Sequence, residues 1–306
     1  MKLGALDVGT NTVLMLVVEA DQNQRVHRLA DFSRITRMGR GVDKNGRLDP
    51  DSARRTLEAI VEFTNQARAL GAEKIVTAAT SALRDASDGP EFIAQVKARA
   101  GLDLDIISGD AEAELSYLAV RHGLPINPSE KLLIVDIGGG STELIQAEPG
   151  HDLVLISLQI GSVRLTERNI KHDPPADSDV AQLRATIDRE IDALNWNYRP
   201  DRLVGIAGTV TTVCAVSLGM TQYDSAIVHG HRLSLAEVTR VTNLFRTLPL
   251  AERKRLPGLL EGRADVIFAG AAILERAMAR FGVDAVTVSD QGVRWGLVWR
   301  ELKRAP

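Results

Sequence analysis

The sequence of 306 residues is poor in several features that would point to a function. It has one cysteine, Cys214, which excludes an intramolecular disulfide or a cysteine metal cluster. It has no apolar run of about 18 residues, as a membrane helix needs, and no signal-peptide pattern at its start. Its formal net charge of −3 excludes a general attraction to polyanions. We therefore expect a cytoplasmic protein that binds neither membranes nor nucleic acid.

The remaining composition is that of an ordinary globular chain. Hydrophobic residues make up 44%, charged residues 25% and aromatic residues only 4%, and the length allows two domains. Because the net charge attracts no polyanion, any phosphate-rich ligand must be held by a local site.

The stretch at residues 131–147, KLLIVDIGGGSTELIQA, carries the strongest local signal. An apolar run ends in Asp136, and a second one begins at Leu144, which predicts a strand, a tight turn and a returning strand. The turn contains Gly138, Gly139, Gly140 and Ser141. Glycines leave no side chain between the backbone N–H groups and a ligand, which suits a phosphate cradle. The alternative is a hairpin in which the glycines only form the turn.

Carboxylates at this turn suggest a metal ion. A carboxylate beside bound phosphates would repel them, so we expect a hard divalent cation, Mg²⁺ or Mn²⁺, between the two. Asp136 is the first candidate ligand and Glu143 the second.

A second copy of the pattern lies near the N-terminus, 129 residues earlier. There an apolar run ends in Asp7 and a new one begins at Val13. The intervening residues proposed to bind phosphate are Gly9, Thr10 and Asn11. Two such half-sites facing each other would hold a phosphate chain and its metal between them, with Asp7 as a third metal ligand.

Three further positions follow predicted strands. Arg84 lies just past the strand at residues 74–79, where open α/β sheets bind ligands, although a surface arginine is the alternative. Glu112 lies in the first turn of a helix that follows a predicted strand at 104–107. Its carboxylate could serve as a general base, and the alternative is that it only complements the helix dipole. Gly208 and Thr209 lie at another helix start, where free N–H groups favour anions.

Taken in order, these motifs resemble the exopolyphosphatase/guanosine pentaphosphatase (Ppx/GppA) family of the actin, sugar-kinase and heat-shock-chaperone superfamily. The matching segments are DVGTNT from Asp7, ATSALR from Ala79, SG with EA at 108–113, DIGGGSTE from Asp136, GIAGT from Gly205, VHG from Val228 and SDQG from Ser289. They span essentially the whole chain. His229 in the VHG segment is a cleft residue by this resemblance and a structural histidine otherwise.

The resemblance implies an α/β fold of two ribonuclease-H-like (actin-like ATPase) domains with an interdomain cleft. Domain I would comprise residues 1–123 plus 287–306, and domain II residues 124–286. The resemblance also implies roles for individual residues. Glu112 and Glu143 would be catalytic, and Arg84 would contact phosphate. The Mg²⁺ ion would lie near Asp7, Asp136 and Glu143. A homodimer is compatible with it.

Two positions depart from the family pattern. The family usually has Glu-Glu-Ala where this chain has Ala111-Glu112-Ala113, so one acid remains. Leu14 stands where members often carry a basic residue that contacts guanosine tetraphosphate or pentaphosphate.

Three functions follow as hypotheses. The first is an exopolyphosphatase that releases terminal phosphate from polyphosphate. The second is a hydrolase that converts guanosine pentaphosphate to tetraphosphate. The third is a non-catalytic nucleotide-binding switch or filament protein, and the carboxylates Glu112 and Glu143 argue against it.

Overall fold

The protein is described here by a computed structural model that covers residues 1–21 and 25–304. These residues fall into two compact units, one of residues 1–122 with the C-terminal segment from residue 292, the other of residues 123–291. Residues 305 and 306 of the predicted first domain lie outside the described residues.

The first unit contains a four-stranded sheet with helices. Its elements are β1 (Lys2–Val8), β2 (Thr12–Ala20), β3 (Val26–Ile35), α1 (Val42–Asn45), α2 (Pro50–Ala69), β4 (Lys74–Ala79), α3 (Ser81–Asp85), α4 (Gly89–Ala100) and α5 (Gly109–Gly123). The strand order is β3-β2-β1-β4. The first three strands form an antiparallel meander, and β4 pairs with β1 in parallel.

The strand predicted at residues 104–107 is wrong. Only an isolated bridge forms there, between Ala79 and Ile106. The side chain of Thr77 takes the place of ladder hydrogen bonds, since its hydroxyl donates to the Asp103 carbonyl at 2.8 Å and accepts from the Asp105 N–H at 3.0 Å. A side chain that satisfies the backbone in this way competes with a sheet ladder.

The second unit contains a six-stranded sheet. Its elements are β5 (Leu132–Ile137), β6 (Thr142–Ala147), β7 (Val154–Leu158), α6 (Ser162–Asn169), α7 (Asp177–Asp192), β8 (Arg202–Ile206), α8 (Ala207–Ser217), α9 (Ser225–Val228), β9 (Arg232–Ser234), α10 (Leu235–Thr247), α11 (Leu250–Arg253), a 3₁₀ turn at Glu261–Arg263, α12 (Ile267–Phe281) and β10 (Ala285–Val288). The strand order is β7-β6-β5-β8-β10-β9. The last helix, α13 (Val293–Arg304), belongs to the first unit.

Both sheets follow one plan. An antiparallel meander of three strands is continued by strands parallel to its first strand, β4 in one sheet and β8 in the other. This is the strand order of a ribonuclease-H-like domain, so the predicted fold class is confirmed.

The core of the second unit forms around its central strand and one apolar helix. All six residues of β5 are buried, as expected for a strand covered on both faces. Twelve of the fifteen residues of α12 are buried, which is typical of a helix inside a core. Cys214 on α8 lies in the same core, and burial raises the pKa of its thiol to about 12. No helix of the described residues is both long and apolar enough to cross a membrane.

Helices α5 and α13 touch through their backbones in the first unit. A Cβ atom at Gly296 of α13 would lie 2.0 Å from the carbonyl oxygen of Leu115 on α5. Leu297, Leu115 and Leu3 of β1 belong to one buried cluster. Glycine at position 296 therefore lets both helices reach the sheet.

We expect Gly296→Ala to destabilise the first unit by about 2–3 kcal/mol, because the added methyl group overpacks against backbone that cannot rotate away. Calorimetry or urea unfolding measures the change. Gly292→Ala is the matched control, since no atom lies within 4 Å of its Cβ position. Equal stability of the two variants would contradict the close helix contact.

Candidate functional site

The first unit collects its predicted site residues at one edge of the sheet. Strands β1 and β4 are parallel, so their carboxyl ends lie side by side. Thr80 N–H donates to the Val8 carbonyl at 3.2 Å, and Ile107 N–H donates to the Ala79 carbonyl at 3.0 Å. The turn after β1 and the starts of α3 and α5 therefore meet at the ligand-binding edge typical of α/β sheets.

The second unit repeats this arrangement. Strand β8 is parallel to β5 on one side and to β10 on the other. The turn after β5, the start of α8 and the segment after β10 thus share the carboxyl edge of that sheet. Asp136 of β5 pairs with Ile206, the last residue of β8.

The two Asp-x-Gly turns close in the same way. Gly9 N–H donates to the Thr12 carbonyl and Gly138 N–H donates to the Ser141 carbonyl, each at 3.0 Å. A Cβ atom at either glycine would lie within 3.0 or 3.1 Å of the carbonyl oxygen that closes its turn. The duplicated motif is therefore a duplicated structure, in which a side chain at Gly9 or Gly138 would be crowded by its own turn.

The carbonyl groups of Gly138, Gly139 and Gly140 in the second turn are hydrogen-bonded by the start of α6. The Gly138 carbonyl accepts from Ser162 N–H at 2.9 Å, and the Gly139 carbonyl accepts from Val163 N–H at 2.9 Å. The Gly140 carbonyl accepts from Nε of Arg164 at 2.7 Å. The first turn of α6 thus binds three successive carbonyl oxygens of the glycine turn.

This arrangement determines where the N–H groups of the turn point. In a trans peptide the C=O and the next N–H point in opposite directions. Since the carbonyls of residues 138–140 face α6, the N–H groups of Gly139, Gly140 and Ser141 point away from it. Successive N–H groups on one side of a turn form an anion-binding concavity.

The first unit uses the same principle with a different segment. The Thr10 carbonyl accepts from Gly39 N–H at 2.8 Å, and the Asn11 carbonyl accepts from Thr36 and Arg37 N–H at 3.0 and 3.1 Å. The N–H groups of residues 11 and 12 therefore point away from residues 36–39. Arg37 has a φ of +59°, an unusual value for a residue with a side chain.

Asp136 and Glu143 are brought together by the second hairpin. They are direct cross-strand partners of β5 and β6, so their side chains share a face of the sheet. Both are buried, with exposed fractions of 5% and 0%. Ser157 Oγ donates to Glu143 Oε1 at 2.7 Å and orients this carboxylate.

This pair of carboxylates fits a magnesium site. Two like charges directly opposite each other are unfavourable, and a divalent cation would neutralise both. Mg²⁺ commonly takes one or two protein carboxylates and completes its shell with phosphate oxygens and water. In the part of the chain that the structure describes, no three His, Cys, Asp or Glu side chains are grouped to hold a metal.

Asp7 differs from its counterpart in the second unit. Its cross-strand partner is Leu14, whereas Asp136 has Glu143 at the equivalent position. At this cross-strand position the first hairpin therefore has one carboxylate and the second has two. The role of Asp7 as a metal ligand stays a prediction.

Arg84 and Glu112, predicted separately, form an ion pair in the first unit. Arg84 Nη1 lies 3.4 Å from Glu112 Oε2 and donates to the Ile107 carbonyl at 2.6 Å. The side chains are 24% and 9% exposed, so a buried carboxylate has its charge balanced by a partly exposed guanidinium. Glu114, two residues on, is exposed.

The start of α8 is contacted by the guanidinium of Arg263, which the sequence did not indicate. Arg263 Nη1 donates to the Gly208 carbonyl and to Thr212 Oγ1, each at 2.9 Å. Thr209 in the same turn is buried. Ala207, the first residue of α8, has a φ of +67°, and strained backbone of this kind is concentrated at functional sites.

His229 has both ring nitrogens engaged within the second unit. Nε2 donates to the Gly123 carbonyl at 2.8 Å, and Nδ1 accepts from Asp290 N–H at 3.2 Å. These backbone contacts favour the structural role for His229.

Sequence reasoning missed Ser157, Arg164 and Arg263. Each reaches the site from an element distant in sequence, and none stands in a recognisable motif. For Ser157 alone a signal existed, since a third strand following the hairpin must pair with β6 and present a residue opposite Glu143.

Comparisons with known proteins identify the family. A model of the Ppx/GppA phosphatase family matches residues 16–305. The chain belongs to this family. Exopolyphosphatase 2 of Mycobacterium tuberculosis (strain ATCC 25618 / H37Rv) is 32% identical over 97% of both chains. The guanosine-5'-triphosphate,3'-diphosphate pyrophosphatase of Vibrio cholerae is 30% identical over 98% of this chain and 59% of its own length. The crystal structure of the Aquifex aeolicus Ppx/GppA family member matches with a TM-score of 0.84 at 30% identity, covering 99% and 98% of the two chains.

Membership of the Ppx/GppA phosphatase family confirms the predicted family and makes the protein an enzyme that hydrolyses phosphoanhydride bonds. The individual roles of the site residues stay predictions.

The Arg84–Glu112 pair generates a test of the catalytic carboxylate. Glu112→Gln keeps the size and can still accept a hydrogen bond from Arg84, but it cannot take a proton. If Glu112 is the general base, phosphate release should fall by about 10²–10⁴-fold. A role at the helix N-terminus alone would change stability by about 0.3–1 kcal/mol and leave turnover intact.

Glu114→Gln is the control, because this exposed residue lies on the opposite side of α5. Near-normal turnover in Glu112→Gln, or an equal loss in Glu114→Gln, would show that the base is another residue.

Proposed function

We propose that the protein is an exopolyphosphatase that releases terminal phosphate from polyphosphate by Mg²⁺-assisted attack of water on a phosphoanhydride bond. The observation that carries the proposal is the hairpin β5–β6, which contains two buried carboxylates, Asp136 and Glu143. They lie beside a turn whose successive N–H groups all point away from α6. Carboxylates suit a metal, and N–H groups suit a phosphate.

In this mechanism the N–H groups of Gly139, Gly140 and Ser141 bind phosphate oxygens. Asp136 and Glu143 would hold Mg²⁺, which would neutralise charge on the phosphates. Phosphoryl transfer depends mainly on such positioning and charge neutralisation.

We assign the activation of the attacking water to Glu112. Its carboxylate accepts a proton as the water oxygen bonds to the terminal phosphorus and the bridging P–O bond breaks, which releases inorganic phosphate and a chain shorter by one phosphate. Arg84 holds Glu112 through Nη1. Among the described residues Arg84 makes its hydrogen bonds through Nη1, so Nε and Nη2 would supply donors for a phosphate.

Polyphosphate is favoured over a guanosine nucleotide by two observations. The relative named exopolyphosphatase is matched over 97% of both chains, whereas the relative named for a guanosine substrate is matched over 59% of its length. Leu14 also stands where members of the family often carry a basic residue that contacts guanosine tetraphosphate or pentaphosphate.

Parallel phosphate-release assays on polyphosphate and guanosine pentaphosphate, at equal Mg²⁺, test the substrate. We expect the larger kcat/KM for polyphosphate. A larger value for guanosine pentaphosphate would establish the second hypothesis instead, and no release from either would overturn the proposed function.

The metal assignment predicts opposite effects of Asp136→Asn on stability and on activity. Without Mg²⁺ the variant should be at least as stable as the wild type, since it removes a repulsion between two carboxylates directly opposite each other. It should also lose the rise in Tm that Mg²⁺ gives the wild type, and its turnover should fall on the order of 100-fold or more.

Thermal unfolding with and without Mg²⁺ measures the first effect, and phosphate release measures the second. Asp152→Asn, at an exposed aspartate, is the control. Full turnover of the wild type in excess chelator, or a Mg²⁺-dependent Tm in Asp136→Asn, would refute the assignment.

A further inference from the structure

We propose that Arg164 is a positioning residue that aims the Ser141 N–H group at the substrate, an inference that rests on the proposed phosphate-binding role of the turn. Arg164 lies in the first turn of α6, is half-buried, and donates from Nε to the Gly140 carbonyl at 2.7 Å. This carbonyl shares a peptide plane with the N–H of Ser141. A hydrogen bond to the one therefore sets the direction of the other.

Within the described residues, the carbonyls of Gly139 and Gly140 accept one hydrogen bond from a side chain, that of Arg164. The Gly139 carbonyl accepts from backbone N–H groups of residues 163 and 164 at 2.9 and 3.1 Å, which any residue would supply. The Gly140 carbonyl accepts from a guanidinium, which only this side chain supplies. The orientation of the third peptide of the cradle thus depends on the residue type at position 164.

The residue type at position 140 permits more than one orientation of this peptide. Gly140 has no Cβ, so its backbone can adopt conformations closed to other residues. A charge-assisted hydrogen bond of ordinary length is strong enough to select one of them.

The position of Arg164 depends on a backbone contact. A Cβ at Gly161 would lie 2.4 Å from the Gly139 carbonyl oxygen and 2.6 Å from the Gly140 carbonyl carbon. Helix α6 can begin directly against the turn because residue 161 is glycine. Arg164 contacts the carbonyl side of the turn, opposite the N–H groups, so it acts through Ser141 and not on the phosphate.

Two substitutions of matched length separate the hydrogen bond from the charge. In Arg164→Gln the amide nitrogen stands the same number of bonds from Cα as Nε of arginine, so the donor is kept without the charge. In Arg164→Met a methyl group occupies that place and the donor is lost. Arg168→Met, at an exposed arginine one turn along α6, is the control.

We expect Arg164→Met to raise KM for polyphosphate about tenfold and to change kcat less than about threefold. Arg164→Gln should stay within about threefold of the wild-type KM, and Arg168→Met should equal the wild type. A merely structural role would lower the active fraction, and so kcat, at constant KM. Unchanged KM in Arg164→Met, or equal impairment of the Gln and Met variants, would overturn the inference.

Amide NMR gives a readout that does not depend on turnover. Titration of the wild type with inorganic phosphate and Mg²⁺ should shift the amide signals of Gly139, Gly140 and Ser141. The apparent affinity should fall about tenfold in Arg164→Met and be kept in Arg164→Gln. An inactive wild type whose turn amides still respond in this way would refute the proposed hydrolysis but support Arg164. Absence of any phosphate-induced shift at these amides would refute the role of Arg164.

Discussion

The candidate site depends on one property of the peptide group: its C=O and the next N–H point in opposite directions. A turn that presents its N–H groups to an anion directs its carbonyl groups to the other side, where they need hydrogen-bond partners. In the second unit the start of α6 binds the carbonyls of residues 138–140. In the first unit residues 36–39 do the same for Thr10 and Asn11. Each cradle is therefore built by the segment behind it as much as by its glycines.

The two hairpins show how a duplicated structure takes on different chemistry. Their turns close with the same hydrogen bond, between Gly9 and Thr12 and between Gly138 and Ser141. They differ at the position opposite the aspartate, which is Leu14 in one and Glu143 in the other. One side chain thus changes a single carboxylate into a pair that suits a divalent cation.

Charge is handled locally in a chain whose net charge is only −3. Glu112 is balanced by Arg84, and Gly208 at the start of α8 is contacted by the guanidinium of Arg263. Asp136 and Glu143 are buried carboxylates directly opposite each other, an arrangement that suits a divalent cation.

The sequence alone determined the strand–turn–strand hairpins and the positions of Asp136, Glu143, Arg84 and Glu112 at strand and helix ends. These features are local, because periodicity and glycine spacing act over a few residues. The two-domain α/β fold was predicted from the resemblance to the Ppx/GppA family, which depends on the order of the motifs along the whole chain. The strand predicted at residues 104–107 is wrong, because the side chain of Thr77 makes hydrogen bonds there in place of those of a sheet ladder.

Only the tertiary structure decided which side chains meet. The Arg84–Glu112 pair joins residues 28 apart in sequence, and Arg263 reaches Gly208 across 55 residues. Arg164 binds the Gly140 carbonyl because Gly161 allows α6 to begin against the turn. Such contacts depend on how whole elements pack, which local patterns do not encode, so the residues that orient the site appear only when the chain is folded.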